Sequence, residues 1–379
     1  MAVLLWMAYA ACCCVAAGGV VFYVLAIAAI RRYRAQAARP GDFTPPLTVL
    51  KPLAGLDDSL EENLATFFEQ DYPRYQILFA VRRDDDPAVA VVRRLLARYP
   101  QQDAELIVSG EPPFPNAKVY SLARMAERAR FDILVISDSD IRADRGCLRG
   151  VAAEFADPRV GVITCPYRAV PGESFWSRLE ALTLNTEFWC GVVVAKRLEG
   201  MRFAVGPTMA LRRQYLEQVG GFPAVGEYLA EDFVLGQWAA SHGYRAELAA
   251  HVVDHCIGSQ PFGTNLRHRI RWARSTRRSR PWGYVGQIFT NPLPFALVVL
   301  AGPAAALGVA VVLARVWVAA VVAGGWLRDP LTRRCWWLVP VADGASLVVW
   351  FLGFFGNTVE WRGRRYDLLR DGRFRLAGG

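Results

Sequence analysis

The sequence has few lysines and no paired cysteine motifs. Its only lysines are Lys51, Lys118 and Lys196, so arginine supplies nearly all the positive charge behind the net charge of +9. Eight cysteines are present, but three are consecutive and no two are spaced as CxxC. This spacing indicates neither a zinc ribbon nor a disulfide framework, and it favours a reducing, cytosol-facing domain. No GxGxxG phosphate cradle is present either.

Long apolar runs, by contrast, are prominent. Residues 3–30 contain no charged side chain and are long enough to span a bilayer. Arginines follow this run instead of preceding it, which predicts a retained anchor rather than a signal peptide. The same arginines, Arg31 to Arg39, place the residues after them in the cytoplasm. A basic chain suits nucleic acid, an anionic membrane or a phosphate-bearing substrate, and the apolar runs favour the membrane.

Two further apolar stretches lie near the C-terminus. Residues 294–327 are apolar apart from Arg315, and they predict one tilted helix or a tight hairpin. Residues 335–355 form another candidate span, with Asp343 inside it. Three or four membrane segments are therefore allowed. The positive-inside rule assigns both the arginines at 328–334 and the basic tail to the cytoplasm, yet one predicted span separates them.

Between the apolar ends, strand and helix patterns alternate. Short aliphatic runs predict strands at 47–51, 75–81, 105–109 and 131–136, and helical patterns lie between them. This order predicts an α/β domain with a mostly parallel sheet and helices on its faces.

Acidic residues stand at the carboxyl ends of these strands. Asp138 and Asp140 follow the strand in the stretch FDILVISDSDIR, Asp86 follows an earlier strand, and Glu231-Asp232 opens a later helix. Ligands bind beyond the carboxyl ends of strands in open α/β sheets. Two carboxylates one residue apart can hold a divalent cation and, through it, a diphosphate. The same residue types also serve as helix caps and turns, so each acid alone is ambiguous.

Taken in order, several motifs resemble family 2/21-type glycosyltransferases with a GT-A fold. Within that group the sequence resembles ceramide glucosyltransferases, and most of all the glycosyltransferases of bacterial hopanoid biosynthesis. The resemblance covers roughly the whole chain after the first anchor. The motifs that carry it are LKPLAGLDDSLEENLATFFEQDYPRY, DDDPA, SDSDIR, LAEDF, IRW and WRGRRY.

The resemblance implies a role for each matching residue. Asp232 is implied to be the catalytic general base. Asp138 and Asp140 are implied to bind a divalent cation, Mg²⁺ or Mn²⁺. The residues implied to bind the nucleotide sugar are Asp86, Asn116, Lys118, Asp138, Arg271 and Trp272.

Two positions depart from the family pattern. His268 stands where the (Q/R)xxRW signature has Gln or Arg, and Arg267 or Arg269 could substitute for it. Phe188 stands where the animal ceramide enzymes carry a histidine, which favours a different lipid alcohol. His251 and His255 are more typical of structural packing than of a zinc site.

The predicted fold is α/β, a GT-A (Rossmann-like, mostly parallel sheet) cytosolic domain with N- and C-terminal transmembrane helices. The predicted domains are a transmembrane anchor (1–32), the GT-A glycosyltransferase domain (45–262), basic interfacial helices with the RW motif (263–292), C-terminal transmembrane segments (293–357) and a basic tail (358–379).

The function implied is that of a membrane-bound, inverting glycosyltransferase that moves a sugar from a UDP-sugar to a lipid alcohol. The hopanoid likeness favours N-acetylglucosamine from UDP-GlcNAc and bacteriohopanetetrol as acceptor. The alternative is a ceramide glucosyltransferase using UDP-glucose, and the alternative of another class is a non-catalytic lipid-binding membrane protein. The expected location is the cell inner (plasma) membrane, multi-pass, with the catalytic domain facing the cytoplasm and no nucleic-acid partner.

Overall fold

The computed structural model describes residues 1–36 and 43–378, which divide into two compact units. Arg39, one of the predicted cytoplasmic arginines, lies outside the described residues. We call the two units the helical unit and the sheet unit. The helical unit contains residues 1–36, 168–200 and 259–360, and the sheet unit contains the described parts of 37–167, 201–258 and 361–379.

The two units group two segments differently from the domains predicted from the sequence. Residues 168–200 fall inside the predicted glycosyltransferase domain but belong to the helical unit. Residues 361–378, predicted as a basic tail, belong to the sheet unit. Two of the points where the chain passes from one unit to the other lie within short strands, β7 (Tyr167–Pro171) and β11 (Thr358–Trp361).

The sheet unit alternates strands and helices. Its remaining strands are β1 (Leu47–Pro52), β2 (Tyr75–Val81), β3 (Ala104–Val108), β4 (Ile133–Ser137), β5 (Ile141–Arg142), β6 (Val160–Thr164), β8 (Thr208–Arg212), β9 (Arg245–Leu248), β10 (Val253–Gly258), β12 (Arg364–Leu368) and β13 (Phe374–Leu376). Its helices are α2 (Leu60–Ala65), α3 (Ala88–Arg98), α4 (Ala117–Arg128), α5 (Cys147–Glu154), α8 (Arg213–Gln218) and α9 (Glu231–Ser241).

Seven strands form the central sheet, in the order β3-β2-β1-β4-β8-β6-β9. The first four are parallel, whereas β8 is antiparallel to both of its neighbours. Every residue of β1, β2 and β4 is buried. Parallel strands covered on both faces are expected to be mostly apolar, and these three segments fit that pattern apart from a few buried polar residues: Thr48, Lys51, Gln76 and Ser137. The predicted fold class, α/β with a parallel-rich sheet of GT-A type, is confirmed.

The strand order reverses between β1 and β4. From β1 the chain adds β2 and then β3 on one side, and it returns to place β4 on the other side. Such a switch point opens a crevice at the carboxyl ends of the two strands, where ligands bind in open α/β sheets. Lys51 and Asp138 lie at this edge, at the end of β1 and directly after β4.

The helical unit is built from long apolar helices and shorter connecting ones. Its helices are α1 (Ala2–Gln36), α6 (Phe175–Thr183), α7 (Trp189–Glu199), α10 (Phe262–Ser279), α11 (Pro281–Gly286), α12 (Leu293–Leu300), α13 (Ala305–Ala319), α14 (Pro330–Cys335) and α15 (Val339–Gly353). A π-helical turn, Leu184–Phe188, joins α6 to α7, and a second one, Ala320–Trp326, extends α13.

Among the described residues, three stretches are long and apolar enough to cross a membrane: Ala2–Gln36, Ala305–Trp326 and Pro330–Gly353. A fourth candidate is a bent pair, Pro281–Thr290 with Leu293–Leu300, whose axes meet at 45°. The long apolar run at 294–327 is therefore two helices, α12 and α13, rather than one tilted helix.

Candidate active site

Asp138 stands at the first position after β4 and is tied to two neighbouring segments. Its backbone N–H donates to the carbonyl of Pro207 (2.9 Å), and its own carbonyl accepts from Nζ of Lys51 (2.7 Å). Its side chain is about one-third exposed at 31%. Burial raises the pKa of Asp138, and the ammonium of Lys118 only partly opposes this. The backbone contacts fix this carboxylate at the edge of the sheet.

Lys118 lies between two acids that are far apart in sequence. Its Nζ is 2.8 Å from Oδ1 of Asp138 and 3.2 Å from Oε1 of Glu231. Burial alone would lower the pKa of Lys118, but the carboxylates of Asp138 and Glu231 outweigh burial and raise it above its usual value. Lys118 therefore keeps a full positive charge between Asp138, directly after β4, and Glu231, at the start of α9.

Asn116 caps helix α4 and also faces the acid pair. Its Oδ1 accepts from the backbone N–H of Val119 (3.1 Å), which is the usual geometry of a helix N-cap. Its Nδ2 donates to the carbonyl of Tyr228 (2.8 Å) and to Oε2 of Glu231 (3.3 Å). Because Asn116 is fully buried, these bonds place the start of α4 firmly against the segment before the acid pair.

Asp232 follows Glu231 in the first turn of α9. Burial and the charge of Glu231 raise the pKa of Asp232 to about 7, although Lys118 opposes this rise. Gly206 lies against the Asp232 carboxylate, since a Cβ added at Gly206 would come within 2.8 Å of Oδ2.

Asp140 pairs with a histidine from the second half of the chain. Its Oδ2 is 3.1 Å from Nε2 of His255, and β10, which carries that histidine, pairs with β5. Burial alone would raise the pKa of Asp140, but His255 and the neighbouring lysines lower it below its usual value. The other oxygen, Oδ1 of Asp140, is buried and has no hydrogen-bond partner among the described residues. A buried carboxylate oxygen of this kind is suited to act as a ligand of a bound cation.

The chain by itself supplies few ligands for a metal ion. Within residues 1–36 and 43–378, no group of three or more His, Cys, Asp or Glu side chains is arranged to hold one. His251 lies 3.2 Å from Asp144, and it takes no part in a metal cluster with His255 in the described chain. Asp138 and Asp140 are thus a two-carboxylate arrangement, which binds Mg²⁺-like ions together with phosphate oxygens and water.

Asp86 fixes the loops that follow β1 and β2. Both oxygens of its carboxylate accept from the backbone N–H of Gly55 (3.1 Å each), and Oδ1 also accepts from Ala88 (2.9 Å). Asp86 therefore acts as a turn and helix-start residue, as its residue type allows. It does so at the same edge of the sheet as Asp138.

Lys51 belongs to this edge but was not singled out from the sequence. It is completely buried, donates to Oγ of Ser137 (3.2 Å) as well as to the carbonyl of Asp138, and lies 3.9 Å from the ring of Phe67. Burial lowers the pKa of Lys51 to about 7, against the pull of Asp138 and Asp140. A lysine at the end of an apolar strand was the only signal available in the sequence.

Arg271 and Trp272 lie on α10 and belong to the helical unit. The ring of Trp272 is 4.3 Å from that of His268, which holds the first position of the signature. Nδ1 of His268 is 3.7 Å from Oε1 of the buried Glu180. Arg269 donates instead to Oγ of Ser346 (2.9 Å). Within this unit, His268 therefore faces an acid, whereas Arg269 faces a hydroxyl group.

Comparisons with solved structures support the fold. A mannosyltransferase from Pyrobaculum calidifontis, solved in complex with GDP-Man and Mn²⁺, has a TM-score of 0.50 to this chain at 21% sequence identity. The match covers 88% of this chain and 98% of that structure.

Comparisons with characterised sequences find ceramide glucosyltransferases. Ceramide glucosyltransferase 3 of Caenorhabditis elegans is 28% identical over 232 residues, 61% of this chain and 50% of that protein. Ceramide glucosyltransferase 1 of the same organism is 30% identical over 215 residues, 56% of this chain and 46% of that protein. The chain thus spans about half the length of the curated relatives it matches. The model of glycosyl transferase family 21 matches residues 11–374, nearly the full sequence, and the chain belongs to that family of glycosyltransferases.

Proposed function

We propose that this chain is a membrane-bound, inverting glycosyltransferase that transfers a sugar from a UDP-sugar to the hydroxyl group of a membrane lipid. The observation that supports this most strongly is the arrangement of Asp138, Lys118 and the Glu231-Asp232 pair around one edge of the sheet. Sugar transfer from a nucleotide diphosphate needs a charged platform for the diphosphate and a separate carboxylate for the acceptor proton.

On the donor side, we assign Asp86, Asn116, Lys118 and Asp138 to the nucleotide sugar. Asp86 holds the loops after β1 and β2, and Asn116 anchors the start of α4 beside the acids. The ammonium of Lys118 supplies a positive charge beside Asp138 that can meet a diphosphate oxygen. In the helical unit, we assign Arg271 and Trp272 to the same ligand, as the family resemblance implies.

Asp138 and Asp140 would hold a divalent cation, Mg²⁺ or Mn²⁺. The buried Oδ1 of Asp140, which no described group satisfies, fits this role. When bound, the cation neutralises negative charge on the diphosphate leaving group. The mannosyltransferase of similar fold was solved with Mn²⁺ and a nucleotide sugar, which agrees with this choice of ion.

Asp232 would act as the general base. Its ionised carboxylate accepts the proton of the acceptor hydroxyl while the oxygen forms a bond to the anomeric carbon and the bond to the diphosphate breaks. Attack from the face opposite the leaving group inverts the anomeric centre, so an α-linked donor gives a β-linked product. A pKa of about 7 suits this task because a base is most effective when its pKa is near the working pH.

The acceptor we favour is ceramide, with UDP-glucose as donor. Membership of family 21 and the two nematode ceramide glucosyltransferases support this pair more than they support the hopanoid pair favoured by the sequence. Transfer of N-acetylglucosamine to a hopanoid such as bacteriohopanetetrol stays a prediction. We place the protein in the cell inner membrane, with the sheet unit in the cytoplasm.

A two-by-two assay tests the proposal. The purified full chain in nanodiscs is given UDP-glucose or UDP-GlcNAc together with ceramide or bacteriohopanetetrol, and UDP release and lipid mass are measured. We expect UDP release and a hexosylceramide with the first pair. A product formed only from UDP-GlcNAc and the hopanoid would show that our choice of donor and acceptor is wrong. No UDP release in any combination would overturn the proposed reaction.

The variant Asp232→Asn separates the base from donor binding. It keeps the size and most hydrogen bonds of the side chain but cannot accept a proton. We expect turnover to fall by about 10²–10⁴-fold, the usual contribution of a general base, while calorimetric UDP binding stays unchanged. Full turnover in Asp232→Asn would show that another group takes the proton.

A further inference from the structure

The C-terminal residues form a folded hairpin rather than an extended basic tail. Strands β12 and β13 pair antiparallel, with Tyr366 opposite Leu376 and Leu368 opposite Phe374. The ring of Phe374 is 2% exposed and packs against Tyr366 at 4.9 Å between centroids and Trp361 at 5.9 Å. These aromatic residues give the hairpin an apolar centre of its own.

This hairpin docks on the segment that comes just before the acid pair. The backbone N–H of Phe374 donates to the carbonyl of Glu227 (2.8 Å), and Arg373 forms an isolated antiparallel bridge with Tyr228. The guanidinium of Arg373 is 3.3 Å from Oε2 of Glu227 and lies over the ring of Tyr228 at 5.5 Å. An exposed ion pair is worth only about 0–1 kcal/mol, so the backbone bonds and the buried Phe374 carry most of the docking.

From Tyr228 a continuous series of polar contacts reaches the site. The carbonyl of Tyr228 accepts from Asn116, which also donates to Glu231. Glu231 in turn faces Lys118, and Lys118 faces Asp138. The segment that the hairpin holds is thus four residues from Asp232 along the chain and one hydrogen bond from the side chain that positions Glu231.

The start of the hairpin lies near the other side of the site. Arg362, at the start of the hairpin, lies close enough to Asp57 for the two charges to interact. Asp57 accepts a hydrogen bond from Ser139, the residue between Asp138 and Asp140. Both ends of the hairpin therefore approach segments that carry site acids.

We propose that the C-terminal hairpin, residues 361–378, is a positioning element of the active site. It fixes the segment at Glu227 and Tyr228 and, through Asn116, holds the Glu231-Asp232 pair in its working geometry. This inference rests on the proposed function, because the pair matters for turnover only if Asp232 is the base. Small displacements of a reacting group cost large factors in rate: a shift of 1 Å can cost about 10²-fold.

Phe374→Ala, compared with Phe374→Leu, is the first test. The alanine removes the apolar anchor, whereas leucine keeps it, so only Phe374→Ala is expected to release the segment at 227–228. We expect kcat to fall by roughly ten- to a hundredfold in Phe374→Ala. The KM for the UDP-sugar should change less, since Asp138 and Lys118 keep their direct contact. Phe374→Leu should retain most of the turnover.

A charge swap tests the same contact without removing buried surface. Arg373→Glu should lower kcat by repelling Glu227, and the double variant Arg373→Glu with Glu227→Arg should recover it. Arg375→Glu is the matched control, because Arg375 is exposed and lies opposite Asp367 within the hairpin, whereas Arg373 lies against Glu227. If Phe374→Ala fails to fold, the charge swap decides together with amide exchange: equal kcat and equal exchange at 227–232 in Arg373→Glu and Arg375→Glu would overturn the proposal.

Hydrogen–deuterium exchange gives a readout that needs no turnover. Amides of residues 227–232 should exchange faster in Arg373→Glu than in Arg375→Glu, even if none of the lipids and sugars supplied is a substrate. If the wild type is inactive with every substrate pair but exchange is faster in Arg373→Glu, the proposed reaction is contradicted. The contact between the hairpin and residues 227–232 is then still supported. Unchanged exchange at 227–232 in both Phe374→Ala and Arg373→Glu would overturn the positioning role.

Discussion

Glu231 and Asp232 are neighbours in sequence, but their surroundings assign them different tasks. Glu231 is held by Lys118 and Asn116, so it is a structural partner of the positive charge. Asp232 has its pKa raised to about 7 by burial and by the charge of Glu231. A carboxyl group held by Lys118 next to one with a raised pKa suits a division between a structural partner and a proton acceptor.

The rate should follow the ionisation of Asp232. A carboxyl group with a raised pKa is neutral at low pH and becomes an active base as the pH rises, so kcat/KM should increase through an apparent pKa near 7. In Glu231→Gln the repelling charge is lost, and the midpoint should move to lower pH. Rates measured between pH 5.5 and 9 in wild type and Glu231→Gln check this. A midpoint that does not move would show that Glu231 has no electrostatic effect on the base.

Gly206 should be essential for the position of that base. A methyl group there would come within 2.8 Å of Oδ2 of Asp232, closer than van der Waals contact allows, so the carboxylate must move. We expect Gly206→Ala to lower kcat by about 10²-fold, since a base displaced by an ångström loses that much. Gly146→Ala is the control in the same unit, where the nearest atom is at 3.5 Å. Equal kcat values for the two variants would contradict this account.

The sequence marked the acids at the strand ends, but it did not show their partners. Asp86, Asp138 and Asp232 each follow a strand or open a helix, and such positions converge at one edge of a sheet. The contacts of Lys51 and His255 with the site acids could not be read from the sequence, because their partners are 87 and 115 residues away, respectively. No local pattern marks a contact over that distance.

At the scale of helices, a buried ion pair ties the helical unit together. Nε and Nη2 of Arg315 on α13 donate to the two oxygens of Asp343 on α15, at 2.8 and 2.6 Å. Nη2 also donates to Oγ1 of Thr186 in the π-helical turn (2.8 Å). The side chains of Arg315 and Asp343 are 2% and 1% exposed, so each needs the other to be tolerated in an apolar interior.

Removing one partner of this pair should destabilise the protein more than removing both. Asp343→Ala leaves the guanidinium of Arg315 buried without a counter-charge, which typically costs about 3–5 kcal/mol. The double variant Arg315→Met with Asp343→Leu keeps the volume apolar and should lie much closer to wild type. Thermal unfolding in one detergent compares them. Equal losses in the single and double variants would mean that the ion pair is not the source of the stability.

At the scale of the whole chain, the sheet unit restricts how often the chain crosses the membrane. The C-terminal hairpin and the central sheet belong to one compact unit, and such a unit lies on one side of a bilayer. The chain leaves this unit after Gly258 and returns at Trp361. Between these two residues it must therefore cross an even number of times.

Contacts within the helical unit indicate which segments cross. Near the start of α1, Tyr9 donates to the carbonyl of Val299 (3.2 Å), whereas near its end Tyr33 lies edge-on against Trp326 (5.2 Å). The chain from Val299 to Trp326 therefore runs the length of α1, and we predict that it crosses once. We predict that the bent pair that leads into it, from Pro281 onward, is the other crossing.

We therefore predict that α15 does not cross. Val339 and Ala342 pack against Leu179 and Leu182 of α6, and the carbonyl of Phe354 accepts from α10. This topology predicts that the arginines at 31–34 and those at 328–334 are both cytoplasmic, as the positive-inside rule requires.

Cysteine labelling in intact cells tests this topology. In a background without the native cysteines, Ala301→Cys should react with an impermeant maleimide from outside the cell. Arg333→Cys and Arg375→Cys should react only after the membrane is permeabilised. Labelling of Arg333→Cys in intact cells would instead make Pro330–Gly353 a crossing segment.

By itself, the sequence determined the fold class, the long apolar helix α1, the acids at the strand ends and the glycosyltransferase family. These follow from local patterns: apolar runs of strand length, charge-free runs of membrane length, and motifs. The order of the motifs can be read along the chain without knowing any contact between residues. Only the tertiary structure decided that Arg315 and Asp343 are one pair, that Lys118 joins Asp138 to Glu231, and that the C-terminal residues fold beside the site. Each of these contacts joins segments that are distant in sequence. A buried charge needs a partner, but which residue is the partner is known only from the positions of both side chains in the structure.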